Sequence, residues 1–164
     1  MCPTWCLSCE EALNRVTIPQ WAQQHIIQRH YPQFNYQQLN AGRWMFYQNA
    51  LPVPKLFSTT IQKLCSPLPV VQTEEIYRKG RPNITRHVYF HRFDFIVGFY
   101  HNRLVGYCET STIKIVCNTS KCHECHRTRP TEVITVFPCA DNWFEWEYQT
   151  NNREHLKALK MKAN

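Results

Sequence analysis

Arg86-His87-Val88-Tyr89-Phe90-His91-Arg92-Phe93 is the stretch that sets the fold class. His87, Tyr89, His91 and Phe93 alternate with Val88, Phe90 and Arg92, a period of two that places the sets on opposite faces of a strand. Further short strands are predicted at 103–108, 111–117, 132–137 and 142–148. In the last of these, Phe144, Trp146 and Tyr148 share one face and Trp143, Glu145 and Glu147 the other, the pattern of a half-buried strand.

Upstream the pattern is helical. Thr17-Ile18-Pro19-Gln20 supplies a cap, a first-turn proline and a glutamine three residues after the cap. The helix should run to about Tyr31, where Pro32 stops it. Pro52, Pro54, Pro67 and Pro69 predict a loop-rich middle with a short helix at 58–64. Residues 153–162 either form a short basic helix with Leu156 and Leu159 inward, or fray. The expected architecture is α+β: an N-terminal helical part, then an antiparallel sheet, stabilised by one or two structural zinc sites. Within one domain over 1–164, residues 1–32 would form a zinc-binding helical module. Residues 77–148 would form the sheet with a Cys/His-rich turn, and 151–164 a basic tail.

The chain has 164 residues, enough for one domain that can bury its own core. Hydrophobic residues at 43% and charged residues at 19% exclude wholesale disorder. Only 4 glycines leave no room for a Gly-rich phosphate loop. No apolar run reaches the roughly 18–20 residues of a membrane span. Met1-Cys2-Pro3-Thr4-Trp5-Cys6 lacks the pattern of a secretory signal, and the 9 cysteines are odd in number. The expectation is therefore a reducing compartment, cytoplasmic or nuclear, with thiols available to metal.

The net charge of +7 is concentrated. Residues 77–92 hold five cations, Arg78, Lys79, Arg81, Arg86 and Arg92, and no acid. Tyr77, Tyr89 and Phe90 are interleaved with them. Cations neutralise phosphates and aromatic rings stack on bases, so the segment predicts binding to RNA or another single strand. In that reading Tyr77, Tyr89 or Phe90 stacks, with Tyr89 the candidate contact. The plainer alternative is a solvated basic loop entering a strand, because a basic patch carries no sequence code.

Two constellations have zinc-ligand chemistry. Cys6-x2-Cys9 is followed by His25-x4-His30, within the spacing window of a two-Cys, two-His site. Five residues apart, the two histidines lie about 140° apart on a regular helix, so both bind one ion only if the last turn loosens. Cys2 is a substitute ligand. The second set is Cys117-x4-Cys122-x2-Cys125, with His123 and His126 beside it, in a polar turn between two predicted strands. Three thiolates and a histidine, His126 among the candidates, would close a tetrahedral Zn2+ site. Ordinary buried thiols and surface histidines are the alternative for both sets.

No metalloprotease helix, nucleophile elbow or phosphate loop occurs, so the sequence points to no enzyme. A different class is suggested by Thr60-Ile61-Gln62-Lys63-Leu64-Cys65, which resembles the start of an Elongin C-binding box. Leu51-Pro52-Val53-Pro54 resembles the proline-rich box that contacts a cullin, but stands before the first box where the family order is the reverse. The resemblance implies a small adaptor, of the type of a viral accessory factor, that recruits a host ubiquitin ligase through Leu64 and Cys65. A short core helix is the competing account of the same residues.

Overall fold

The structure, a computed structural model, describes residues 15–31, 43–65, 72–77, 79–80, 84–102, 106–120 and 130–142. Strand β1 (Val16–Thr17) precedes helix α1 (Gln20–His30). Strand β2 (Trp44–Phe46) precedes helix α2 (Val53–Cys65). Six strands follow: β3 (Gln72–Ile76), β4 (Ile84–Arg92), β5 (Gly98–Asn102), β6 (Gly106–Thr110), β7 (Thr112–Ser120) and β8 (Thr131–Cys139). The α+β class holds. The two helices are interleaved with strands rather than gathered before them.

The strands form a five-stranded sheet of order β1-β8-β7-β4-β3 and a three-stranded sheet of order β2-β5-β6. The larger sheet is mixed, which corrects the expected all-antiparallel arrangement. β1 runs parallel to β8, with Val16 opposite Thr131, whereas β3 and β4 are antiparallel, with Gln72 opposite Val88. A two-residue strand has no periodicity of its own, so only its pairing with β8 makes it one. The smaller sheet is antiparallel throughout.

The chain divides into two compact units. One comprises Met1–His25, Val53–Phe90 and Lys114–Val136; the other comprises Ile26–Pro52, His91–Ile113 and Phe137–Asn164. In the first, α2 turns Leu56, Thr60 and Leu64 inward, one every four residues, as one face of a helix requires. Thr60 is fully buried, and its hydroxyl donates to the Leu56 carbonyl at 2.8 Å, so no polar atom there goes unpaired. The helix begins at Val53, five residues before the predicted start. Pro54 sits in the first turn, where no N–H partner is required. Ile115, Cys117, Val133 and Val136 of β7 and β8 are fully buried as well.

α1 begins at Gln20, later than a cap at Thr17 would start it: Thr17 belongs to β1, where its hydroxyl donates to Thr131 O at 3.5 Å, and Pro19 takes the cap position. The Gln23 amide closes the first turn on the Pro19 carbonyl, and the Gln23 side chain donates to Ile18 O at 2.9 Å. In the second unit all three residues of β2 are buried, and Tyr31 stacks on Phe46 at 4.9 Å. Strand 103–108 was expected where β5 ends and β6 begins; Gly106, at φ +88°, is the first residue of β6. Asp141 braces the turn from β6 to β7. Its Oδ1 accepts from Ser111 N at 3.1 Å and from the Thr112 hydroxyl at 2.7 Å, with Thr110 Oγ1 beside it. Partial burial pushes the Asp141 carboxyl up, but the donors from Thr112, Ser111 and Thr110 and the charge of Arg92 outweigh it. The net effect holds the group below the usual carboxylate range.

Candidate nucleic-acid interface

The basic segment is the far end of a β-hairpin. β3 is the outer strand of its sheet, and its last pair with β4 is Ile76 to Ile84. Residues 77–83 therefore connect the two strands. Gly80 turns the chain at φ +72°, a conformation that residues with a Cβ rarely adopt. Nothing in β3 announces a strand: Gln72-Thr73-Glu74-Glu75-Ile76 shows no apolar alternation, and pairing with β4 makes it extended.

Tyr77 follows β3 directly and is 74% exposed. Its hydroxyl donates to Glu75 Oε2 at 2.9 Å; that bond, the Glu75 charge and slight desolvation raise the phenol above its ordinary range. Lys79 is exposed in the same connection. Arg78 and Arg81 belong to it by sequence but lie outside the described residues.

β4 presents the remaining cations less freely. Arg86 Nε donates to Asn118 Oδ1 of β7 at 3.4 Å. Arg92, exposed at the end of β4, lies close enough to Asp141 to act on its carboxyl. Lys114 of β7 stands over the Phe90 ring at 5.7 Å. Contacts 86–118 and 90–114 climb β4 as they descend β7, the sense of an antiparallel pair. On the opposite face, His87 lies 6.4 Å from Tyr89, and its Nε2 meets Thr119 Oγ1 at 3.0 Å. His87 Nδ1 is buried without a hydrogen-bond partner among the described residues. Burial lowers the imidazole below its ordinary range, which keeps the ring neutral.

Tyr89 is 4% exposed. Burial, together with nearby Cys117, pushes its phenol up to about 12. Its ring has no face to offer a base, so its expected stacking role does not fit this structure. The residue that offers a ring is Tyr77. Position distinguishes the two: Tyr89 stands mid-strand between Val88 and Phe90, and Tyr77 opens a turn.

The metal candidates are dispersed or undescribed. Cys6, Cys9, Cys122, Cys125 and His126 lie outside the described residues. Among the described residues no group of three His, Cys, Asp or Glu side chains gathers as a cation site. α1 stays helical through His30, and Tyr31 N still reaches Ile27 O at 3.2 Å. His25 and His30 are therefore not brought onto one face, and His30 instead stacks on Phe137 at 5.3 Å with Nδ1 2.8 Å from Trp44 O. Cys117 is fully buried within β7, and burial pushes its thiol up to about 12. Among the described residues it packs as a small core residue. Cys117→Ala is therefore expected to leave the metal content, measured by elemental analysis under reducing conditions, equal to that of the parent chain. Loss of a zinc equivalent would return Cys117 to the ligand set.

The adaptor residues divide. Leu64 is 4% exposed and Thr60 fully buried in the chain's own core, whereas Cys65 is exposed at the end of α2. No helix among the described residues is long and apolar enough to cross a membrane. Comparison with protein families, curated proteins and solved structures finds no match, so the site stands on its own residues.

Proposed function

We propose that this protein is a non-enzymatic domain that binds RNA or another single strand through the β3–β4 hairpin. The observation that carries the reading is the exposed ring of Tyr77 beside an acid-free connection bearing Arg78, Lys79 and Arg81. Cations there track phosphates while the ring stacks on an unpaired base, a combination that tolerates any sequence. Arg86 and Arg92 extend the path along β4 with less freedom, given the hydrogen bond from Arg86 to Asn118 and the charge of Asp141 near Arg92. Zinc belongs to this proposal as a structural ion near Cys122, Cys125 and His126, in a protein of the cytoplasm or nucleus.

Fluorescence anisotropy with a labelled oligouridylate of about 16 nucleotides tests it. Three to five phosphate contacts give a log–log salt slope between about −2 and −3.5. Tyr77→Ala is expected to weaken binding by about 1–3 kcal/mol, the worth of one stacked base. Binding indifferent to salt, or no binding, overturns the reading.

A further inference from the structure

Two tyrosines among the described residues are exposed: Tyr77 at 74% and Tyr107 at 56%. They differ in what precedes them. Glu74-Glu75-Ile76 leads into Tyr77, whereas Gly106 precedes Tyr107, with no acid in the three residues before it. The lead-in to Tyr77 is β3, already extended and at the outer edge of its sheet. An extended, acidic approach to an exposed phenol at a strand end suits a cleft that is itself basic and reads its substrate as a strand.

We propose that Tyr77 is a phosphorylation site for a protein tyrosine kinase that favours acidic residues before its acceptor, and that the modification switches off the hairpin. The switch rests on the nucleic-acid reading above; the assignment of the site does not. In the reaction Tyr77 Oη attacks the γ-phosphorus of ATP. A new O–P bond forms, the bond from the γ-phosphorus to the β,γ-bridging oxygen breaks, ADP leaves, and the phenol proton passes to the kinase's base.

The product carries about −1.5 to −2 charges and three acceptor oxygens. Like charge separates it from Glu75 and ends the 2.9 Å hydrogen bond that now holds the ring. Arg78, Lys79 and Arg81 are the nearest cations in sequence, and charge-assisted bonds to them are the strong kind. The phosphate then occupies the groups that an RNA phosphate would use, and the ring that would stack is drawn into the same contact. One residue is thus both base contact and switch.

The full chain is incubated with a recombinant tyrosine kinase of acidic preference and ATP, then mapped by mass spectrometry. Oligouridylate binding is measured before and after. Tyr77 is expected to be modified ahead of Tyr107. Cancelling about two phosphate contacts should weaken binding about 25-fold at about 0.1 M salt. Tyr77→Phe has no phenol to accept phosphate, so its affinity, whatever its starting value, should be the same before and after incubation with the kinase. No phosphate at Tyr77, or phosphate there with unchanged affinity, overturns the proposal. If the unmodified chain fails to bind, the hairpin reading and the switch both fall. The mapped phosphate then still decides the site.

Discussion

Arg78→Gln, Lys79→Gln and Arg81→Gln combined in one chain are expected to weaken single-strand binding about 100-fold at about 0.1 M salt. The salt slope should become shallower by about 2 at the same time, since three phosphate contacts are lost. The three positions fall between β3 and β4 in the sequence, and Lys79 among them is exposed, so thermal stability should move by less than about 0.5 kcal/mol. The same exchange at Arg86 and Arg92 should cost less per residue, because Asn118 already bonds Arg86 and the Asp141 carboxylate already offsets the charge of Arg92. Equal affinity in the triple variant and the parent, by anisotropy across a salt series, would remove the turn from the interface.

Gly98→Ala is expected to be among the most damaging single substitutions in the second unit. A Cβ at this position would lie 2.4 Å from the Met45 carbonyl oxygen and 2.6 Å from Pro138 Cγ. The first neighbour is backbone, held by the pairing of β2 with β5, where Phe46 faces Gly98. It cannot swing aside as a side chain could. Overpacking of this kind costs about 1–3 kcal/mol, and a fixed backbone neighbour puts this site at the upper end. Gly106→Ala is the control. Its Cβ would meet nothing within 4 Å, so only the positive φ resists it. That strain is worth about 1–2 kcal/mol. Urea denaturation should therefore rank Gly98→Ala below Gly106→Ala in stability. The reverse order would show that β2 and β5 separate without penalty.

Much of the fold is legible where residues carry periodicity or punctuation. Alternation from His87 onward marks β4, and Pro19 and Pro32 bracket α1, whereas Thr17, read as its cap, is drawn into β1. What is not legible lies where a neighbour decides. β1 and β3 are strands because β8 and β4 pair with them, not because of their own pattern. Pro54 reads as a loop breaker until its place in the first turn of α2 is known. The interface shows the same division. Charge counting finds the turn, but only pairing reveals that the turn ends a hairpin. Tyr77 and Tyr89 are alike by composition, and only their places, at a turn and in mid-strand, separate the exposed ring from the buried one. Cys117 likewise stands at ligand spacing, and its place within β7 makes it a core thiol.

The parallel pair β1–β8 bears on how the chain reaches this state. The Thr17 hydroxyl and the Thr131 carbonyl oxygen, 3.5 Å apart, are separated by 114 residues along the chain. A contact of such sequence separation raises the contact order, and its loop-closure entropy is met before the contact returns anything. During synthesis at about 5–20 residues per second, β1 waits on the order of 6–23 s for its partner to be made. Until then the inner edge of β7 has no neighbouring strand in place. The sheet is therefore built up from its β3–β4 edge and closed last, at the opposite edge, by β1, the first of its strands to be made.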